Sequence, residues 1–141
     1  MALPTLAWSP VVPEEHGERV NFVVRAGLIE LAFGALLGWA VAANFLAPQV
    51  IQRIGVVNGR RILQAHLDYI MMGILLIAVG LAVPDLPRWL AGVVVFGAVL
   101  NPTLFLPMAF KEDITSTLGF KVATFVSFVA MSGSLVLVAV Q

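Results

Sequence analysis

The sequence predicts an all-α membrane protein, with four transmembrane helices in an up-down-up-down bundle. Three observations lead there. The chain of 141 residues is 60% hydrophobic and only 11% charged, whereas a soluble domain is about a quarter charged. Its mean hydropathy is +1.00. The apolar residues fall into four runs, at 22–46, 62–83, 90–110 and 118–140, each of the roughly 20 residues needed to cross about 30 Å of hydrocarbon. The runs do not alternate with period two, and lipid forces backbone groups to pair within a segment, so helices are expected rather than a barrel.

Taken in order, residues 1–21 carry Pro4, Pro10 and Pro13, then Glu14, Glu15, Glu18 and Arg19. There is no basic segment ahead of an apolar one, so this reads as an interfacial arm and not a signal peptide. His16, set among acids, reads as a solvated group. Residues 22–141 then form one four-helix transmembrane domain.

The breaks at 48–59, 84–88 and 111–113 are turn-like, and short connections imply sequential antiparallel neighbours. Arg53, Arg60, Arg61, Lys111 and Lys121 lie on the side of the first and third loops. Arg19, Arg25 and Arg88 lie on the other. That excess places the two loops in the cytoplasm, and the expectation is a multi-pass protein of the inner (cytoplasmic) membrane.

Within the runs, Gly27, Gly34, Gly38, Gly73, Gly80, Gly92 and Gly97 recur at helical spacing and are expected to let helices approach closely. Pro102 and Pro107 should kink the third helix, freeing carbonyls near Ala98 and Thr103. Glu30, two turns into the first helix, reads as a carboxylate snorkelling to the interface or paired with Arg25. Asn44 and Asn101 are placed to hydrogen-bond between helices.

Net charge is zero, which gives no reason to expect nucleic acid or an acidic substrate. The chain has no cysteine, which excludes disulfides, thiolate nucleophiles, iron–sulfur clusters and thiolate zinc sites. Any metal must use histidine, carboxylate, methionine or tyrosine.

The chemistry concentrates in the stretch Gln64-Ala65-His66-Leu67-Asp68-Tyr69-Ile70-Met71-Met72-Gly73, which opens the second run. At about 100° per residue, Tyr69, Gly73 and Gly80 share the face of His66. This predicts a groove of small and aromatic residues in which a flat ligand could lie. Asp68 falls about 200° away, fit to pair with a neighbouring helix, and Met72 about 120° away. His66 reads either as a structural interfacial group or as a metal- or proton-handling one. One histidine suffices to hold a haem iron as its single axial ligand, and haem b is the most economical metal hypothesis.

Ala65-His66-Leu67-Asp68 followed by Gly73 resembles the small membrane isomerases that include styrene oxide isomerase and hydroxylaminobenzene mutase. In these the second helix begins with Ala-His, and Asn-Gly starts six residues after the histidine. The span 27–44, from a glycine to an asparagine, matches one of the same length in the first helix, and Asn101 with Phe105 resembles an Asn-x-x-x-aromatic segment. The likeness covers residues 25–110.

The resemblance implies a homotrimer with haem b between subunits and the histidine at position 66 as axial ligand. It also implies a ferric iron acting as Lewis acid on an epoxide oxygen. The ring opens towards a benzylic cation, a hydride shifts and an aldehyde leaves, with no redox change. The mutase relatives rearrange an N-aryl hydroxylamine to an aminophenol. Substrates would be small and apolar, arriving through the lipid bilayer, and a dry pocket keeps water from trapping the cation.

Three positions depart from the family. Its asparagine six residues after the histidine is Met72, and two further polar positions are Gly97 and Phe105, with Tyr69 and Thr103 as substitutes. The expected site is therefore His66 as metal ligand, Tyr69, Met72 and Arg61 as cofactor contacts, and Asn101 nearest the substrate oxygen. Arg60 and Arg61 stand where haem propionates would meet the interface, or where plain anchoring would occur. Two rivals remain: an electron carrier in which His66 and Met72 ligate one haem across subunits, and a haem-free structural or transport subunit.

Overall fold

A computed structural model describes residues 21–141 of the chain. The arm expected over 1–21, with His16, lies outside the described residues except for Asn21. The described residues form α1 (Phe22–Leu46), α2 (Pro48–Arg53), α3 (Gly59–Ala82), α4 (Arg88–Thr103), α5 (Phe105–Phe110), a 3₁₀ turn (Glu112–Ser116) and α6 (Leu118–Ala139), and include no strand. Four segments are long and apolar enough to cross a membrane: Phe22–Leu46, Gly59–Ala82, Arg88–Phe110 and Leu118–Ala139.

Large apolar side chains point outwards, as they do where the solvent is lipid. Trp39, Phe125 and Phe128 are all more than half exposed. The main core is correspondingly slim, built from Leu76 of α3, Leu90, Val94 and Ala98 of α4, and Met131 of α6, with Val23 of α1.

Helix α1 begins where Asn21 caps it. Its side-chain oxygen accepts from the Val23 amide at 2.9 Å, satisfying one of the orphan donors of a helix start. The amide of the same side chain donates to the carbonyls of Gly80 and Pro84, tying the start of α1 to the end of α3.

From there α1 and α3 run antiparallel in tight contact. Val24 lies against Gly80, Gly27 against Gly73 and Ile77, Gly34 against Ile70, and Gly38 against His66. A Cβ on Gly27 would stand 2.6 Å from the Gly73 carbonyl oxygen. Glycine is what allows this approach, and in lipid such packing drives helix association. Gly97 does the same for α4 against the Met131 backbone of α6, whereas Gly92 has open space around it and carries no packing role.

The connection between α1 and α3 is more ordered than its turn-like sequence suggests. It contains α2, then Gly55 at φ 91°, a left-handed conformation suited to glycine. The amides of Val57 and Asn58 both donate to the Ala109 carbonyl at the end of α5, at 2.8 and 3.0 Å. That carbonyl would otherwise be an unpaired helix end. The two prolines interrupt the third span as expected, splitting it into α4 and α5 around Leu104.

Candidate functional site

The first turns of α3 place His66, Asp68 and Tyr69, while α1 contributes Glu30 and α4 contributes Asn101 and Thr103. His66 is half-buried, and its Nδ1 lies 2.8 Å from the Gly34 carbonyl oxygen of α1. A carbonyl only accepts, so Nδ1 carries the proton. Nε2 is then left with its lone pair and has no hydrogen-bond partner among the described residues. This is the arrangement by which proteins orient a metal-binding imidazole.

The predicted groove along His66, Tyr69 and Gly73 is filled. Helix α1 occupies that face, with Gly27, Gly34 and Gly38 seated on it, so no flat ligand lies along the seam inside one chain. His66 sits at the margin of the seam. Leu67 beside it is half exposed, and Ala35, Gly38 and Ala42 form a strip of small residues at helical spacing on α1. The residues fit haem ligation here: an imidazole in the right tautomer, half-buried beside the small residues Gly34 and Gly38.

Asp68 and the hydroxyl of Tyr69 reach α4, while the Tyr69 ring stays against α1. The Asn101 amide donates to Asp68 Oδ2 at 2.7 Å, so both residues find the interhelical partner their types demand. Thr103 Oγ1 donates to the Val99 carbonyl at 2.6 Å and is 2.6 Å from the Tyr69 hydroxyl. The threonine's one proton is committed to Val99, so Tyr69 is the donor to Thr103. The Tyr69 ring packs edge to face on Phe33, with centroids 4.7 Å apart and planes at 70°.

Beside this pair is a cavity of about 340 Å³, lined by Ala26, Ile29, Glu30, Phe33, Tyr69 and Val99. Glu30 corrects the sequence reading. It is neither snorkelling nor paired with Arg25; it is 3% exposed, and both carboxylate oxygens lack a hydrogen-bond partner among the described residues. Arg25, five residues earlier, is about 140° round the helix. The signal for burial was present, because Glu30 shares its face with Gly27 and Gly34.

The remaining candidates are dispersed. Met72 packs against the α3–α4–α6 core, on a different face of α3 from His66. Arg61 donates to Gln64 at 2.8 Å and lines a cavity of about 280 Å³ with Asn58, Met108 and Thr115. Arg60 is exposed. Within one chain, then, Tyr69 and Asn101 stand near each other on the α4 side, and His66 stands apart from Asn101, Met72 and Arg61. Among the described residues no three His, Asp or Glu side chains converge on a metal position.

No protein-family model matches the chain, and neither a curated protein nor a solved structure is significantly similar to it. The likeness to the membrane isomerases therefore rests on the motif residues alone.

Proposed function

We propose that this chain is an isomerase of the inner membrane that holds haem b through His66 and rearranges a small apolar epoxide to an aldehyde. Rearrangement of an N-aryl hydroxylamine is the other reaction of the same kind. The observation that supports this best is the His66–Gly34 hydrogen bond, which leaves Nε2 free at an apolar flank.

The chemistry a haem b bound there supplies is Lewis acidity towards a substrate oxygen. The chain's own contribution is threefold. The Gly34 carbonyl fixes the imidazole tautomer and its direction. The hydrocarbon side chains around it exclude water from an opened ring. Asn101, held by Asp68, presents an amide that can orient the substrate oxygen.

His66 and Asn101 lie on different flanks of α3, so the reading needs more than one copy. Head-to-tail contacts in a cyclic oligomer bring two different faces of one chain together. A homotrimer with His66 of one copy facing the Asn101 side of the next would complete the site. The up-down-up-down course is supported at both ends. Val57 and Asn58 meet Ala109 at one end, and Asn21 meets Pro84 at the other. The basic residues near the first end favour its facing the cytoplasm. Met72, engaged in the core, favours the isomerase over an electron carrier with two axial ligands.

The test is an absorption spectrum of the detergent-purified protein expressed with haem supply, wild type beside His66→Ala, followed by turnover of styrene oxide. A Soret band lost in the variant, with aldehyde formed only by the wild type, is expected. No band in either protein would overturn the haem reading. A six-coordinate spectrum unmoved by small ligands would replace the isomerase with the carrier.

A further inference from the structure

Among the described residues, the bundle interior holds two carboxylates with no cation opposite them. Glu30 is buried, and neither oxygen has a hydrogen-bond partner among the described residues. Asp68 accepts from the neutral amide of Asn101. The basic side chains among the described residues are elsewhere: Arg25, Arg53, Arg60, Arg88, Lys111 and Lys121 are exposed, and Arg61 is turned to Gln64. An acid inside a membrane span is costly and marks a binding or transfer path more often than a packing role. Here packing gives no reason for it, since an alanine or leucine between Gly27 and Gly34 would fill the same face without burying a charge.

The cavity against Glu30 indicates what would offset that charge. Its volume of about 340 Å³ falls among small-molecule sites. Apart from Glu30 and the Tyr69 hydroxyl, its walls are aliphatic and aromatic. An inorganic cation needs several oxygen ligands and would find a single carboxylate in hydrocarbon. An organic cation needs one counter-charge and an apolar wall, and the rings of Phe33 and Tyr69 supply the aromatic surface that attracts cations. Ile29, Phe33 and Val99 are 63%, 43% and 40% exposed, so the mouth opens on the lipid-facing surface, by which an apolar cation would enter.

We propose that the cavity between α1, α3 and α4 binds an apolar organic monocation, of the aryl-substituted ammonium class, with Glu30 as its counter-ion and Phe33 and Tyr69 as its aromatic walls. His66 is not among the residues that line this cavity, and the proposal stands whether or not the chain binds haem.

The probe is benzyltrimethylammonium, compared with neopentylbenzene, its uncharged carbon isostere. The full chain is placed in nanodiscs of zwitterionic lipid, and uptake is read by equilibrium dialysis against empty nanodiscs. Saturable uptake of the cation and only unsaturable partitioning of the isostere are expected. Glu30→Gln keeps the side chain's shape and should weaken cation binding about tenfold or more, and Phe33→Leu should weaken it less. Equal affinity in Glu30→Gln, saturable binding of the isostere as tight as that of the cation, or no saturable uptake by the wild type would each overturn the proposal.

Discussion

The imidazole Nδ1 of His66 and the carbonyl oxygen of Gly34 lie 2.8 Å apart across the α1–α3 seam. One bond thereby decides three things: which nitrogen is protonated, which is left with a lone pair, and how the ring is turned. The ring also rests beside Gly38, where an added Cβ would come within 3.2 Å of Cε1. The direction of Nε2 is thus set by α1, not by α3 alone.

On the proposed haem reading, this gives a prediction for Gly38→Val. The branched side chain displaces the ring while leaving His66 in the sequence. Outer partners that orient a ligating histidine typically matter by about 10- to 100-fold in metal affinity, so haem content, read as Soret absorbance per protein, should fall by about tenfold or more. Gly92→Val, at a position with open space around it, should leave it unchanged. Full haem retention in Gly38→Val would detach the seam from the ligand geometry.

Chemically identical changes should differ in effect inside the α1–α3 seam and outside it. Gly27→Ala would set a Cβ 2.6 Å from the Gly73 carbonyl oxygen, and Gly73→Ala one 2.8 Å from that of Gly27. Overpacking against rigid backbone costs about 1–3 kcal/mol, which outweighs the roughly 0.5–1 kcal/mol that alanine gains over glycine within a helix. Both variants should melt lower in detergent than the wild type. Gly92→Ala meets nothing within 4 Å and should melt no lower than the wild type. A destabilised Gly92→Ala would show that its environment is misplaced.

The four spans were legible because their cause is local. Apolar runs of membrane length and the prolines at 102 and 107 fix them, and the observed helices end within a few residues of the expected limits. Partners across helices were legible where residue type demanded one, as for Asp68 and Asn101. What a face packs against was not. Small residues beside His66 suited an open groove or a second helix equally well, and the antiparallel register of α1, a tertiary fact, put Gly34 and Gly38 there. Glu30 departs from its expected interfacial place for a related reason. Its distance from the helix start suggested the interface, whereas the glycines at i−3 and i+4 marked it as facing the seam.

Asn101 and Asp68 form a pair whose halves are unequal. Asn101→Leu takes the donor from a half-buried carboxylate, and leaving such a group unsatisfied costs about 1–3 kcal/mol. The double change Asp68→Leu with Asn101→Leu removes both polar groups and should recover most of that loss. Thermal unfolding of the two single variants and the double variant in one detergent measures the coupling, and strict additivity would deny the pair. In the isomerase reading, Asn101→Leu also lowers turnover with haem content unchanged.

The chain of hydroxyls from Tyr69 through Thr103 to the Val99 carbonyl makes a sharper asymmetry, because the proton directions are fixed. Thr103 gives its proton to Val99, so Tyr69 must donate to Thr103. Tyr69→Phe therefore removes one interhelical bond, averaging about 0.6 kcal/mol in membrane proteins, and leaves only an acceptor lone pair unused. Thr103→Val is the more damaging change despite its smaller size. It strands the hydroxyl of a tyrosine that is 6% exposed, at about 1–3 kcal/mol. Thr103→Val should melt below Tyr69→Phe, and adding Tyr69→Phe to Thr103→Val should restore stability by removing the stranded group. If Tyr69→Phe is instead the worse of the two, the threonine proton points to the tyrosine and the donor order is reversed.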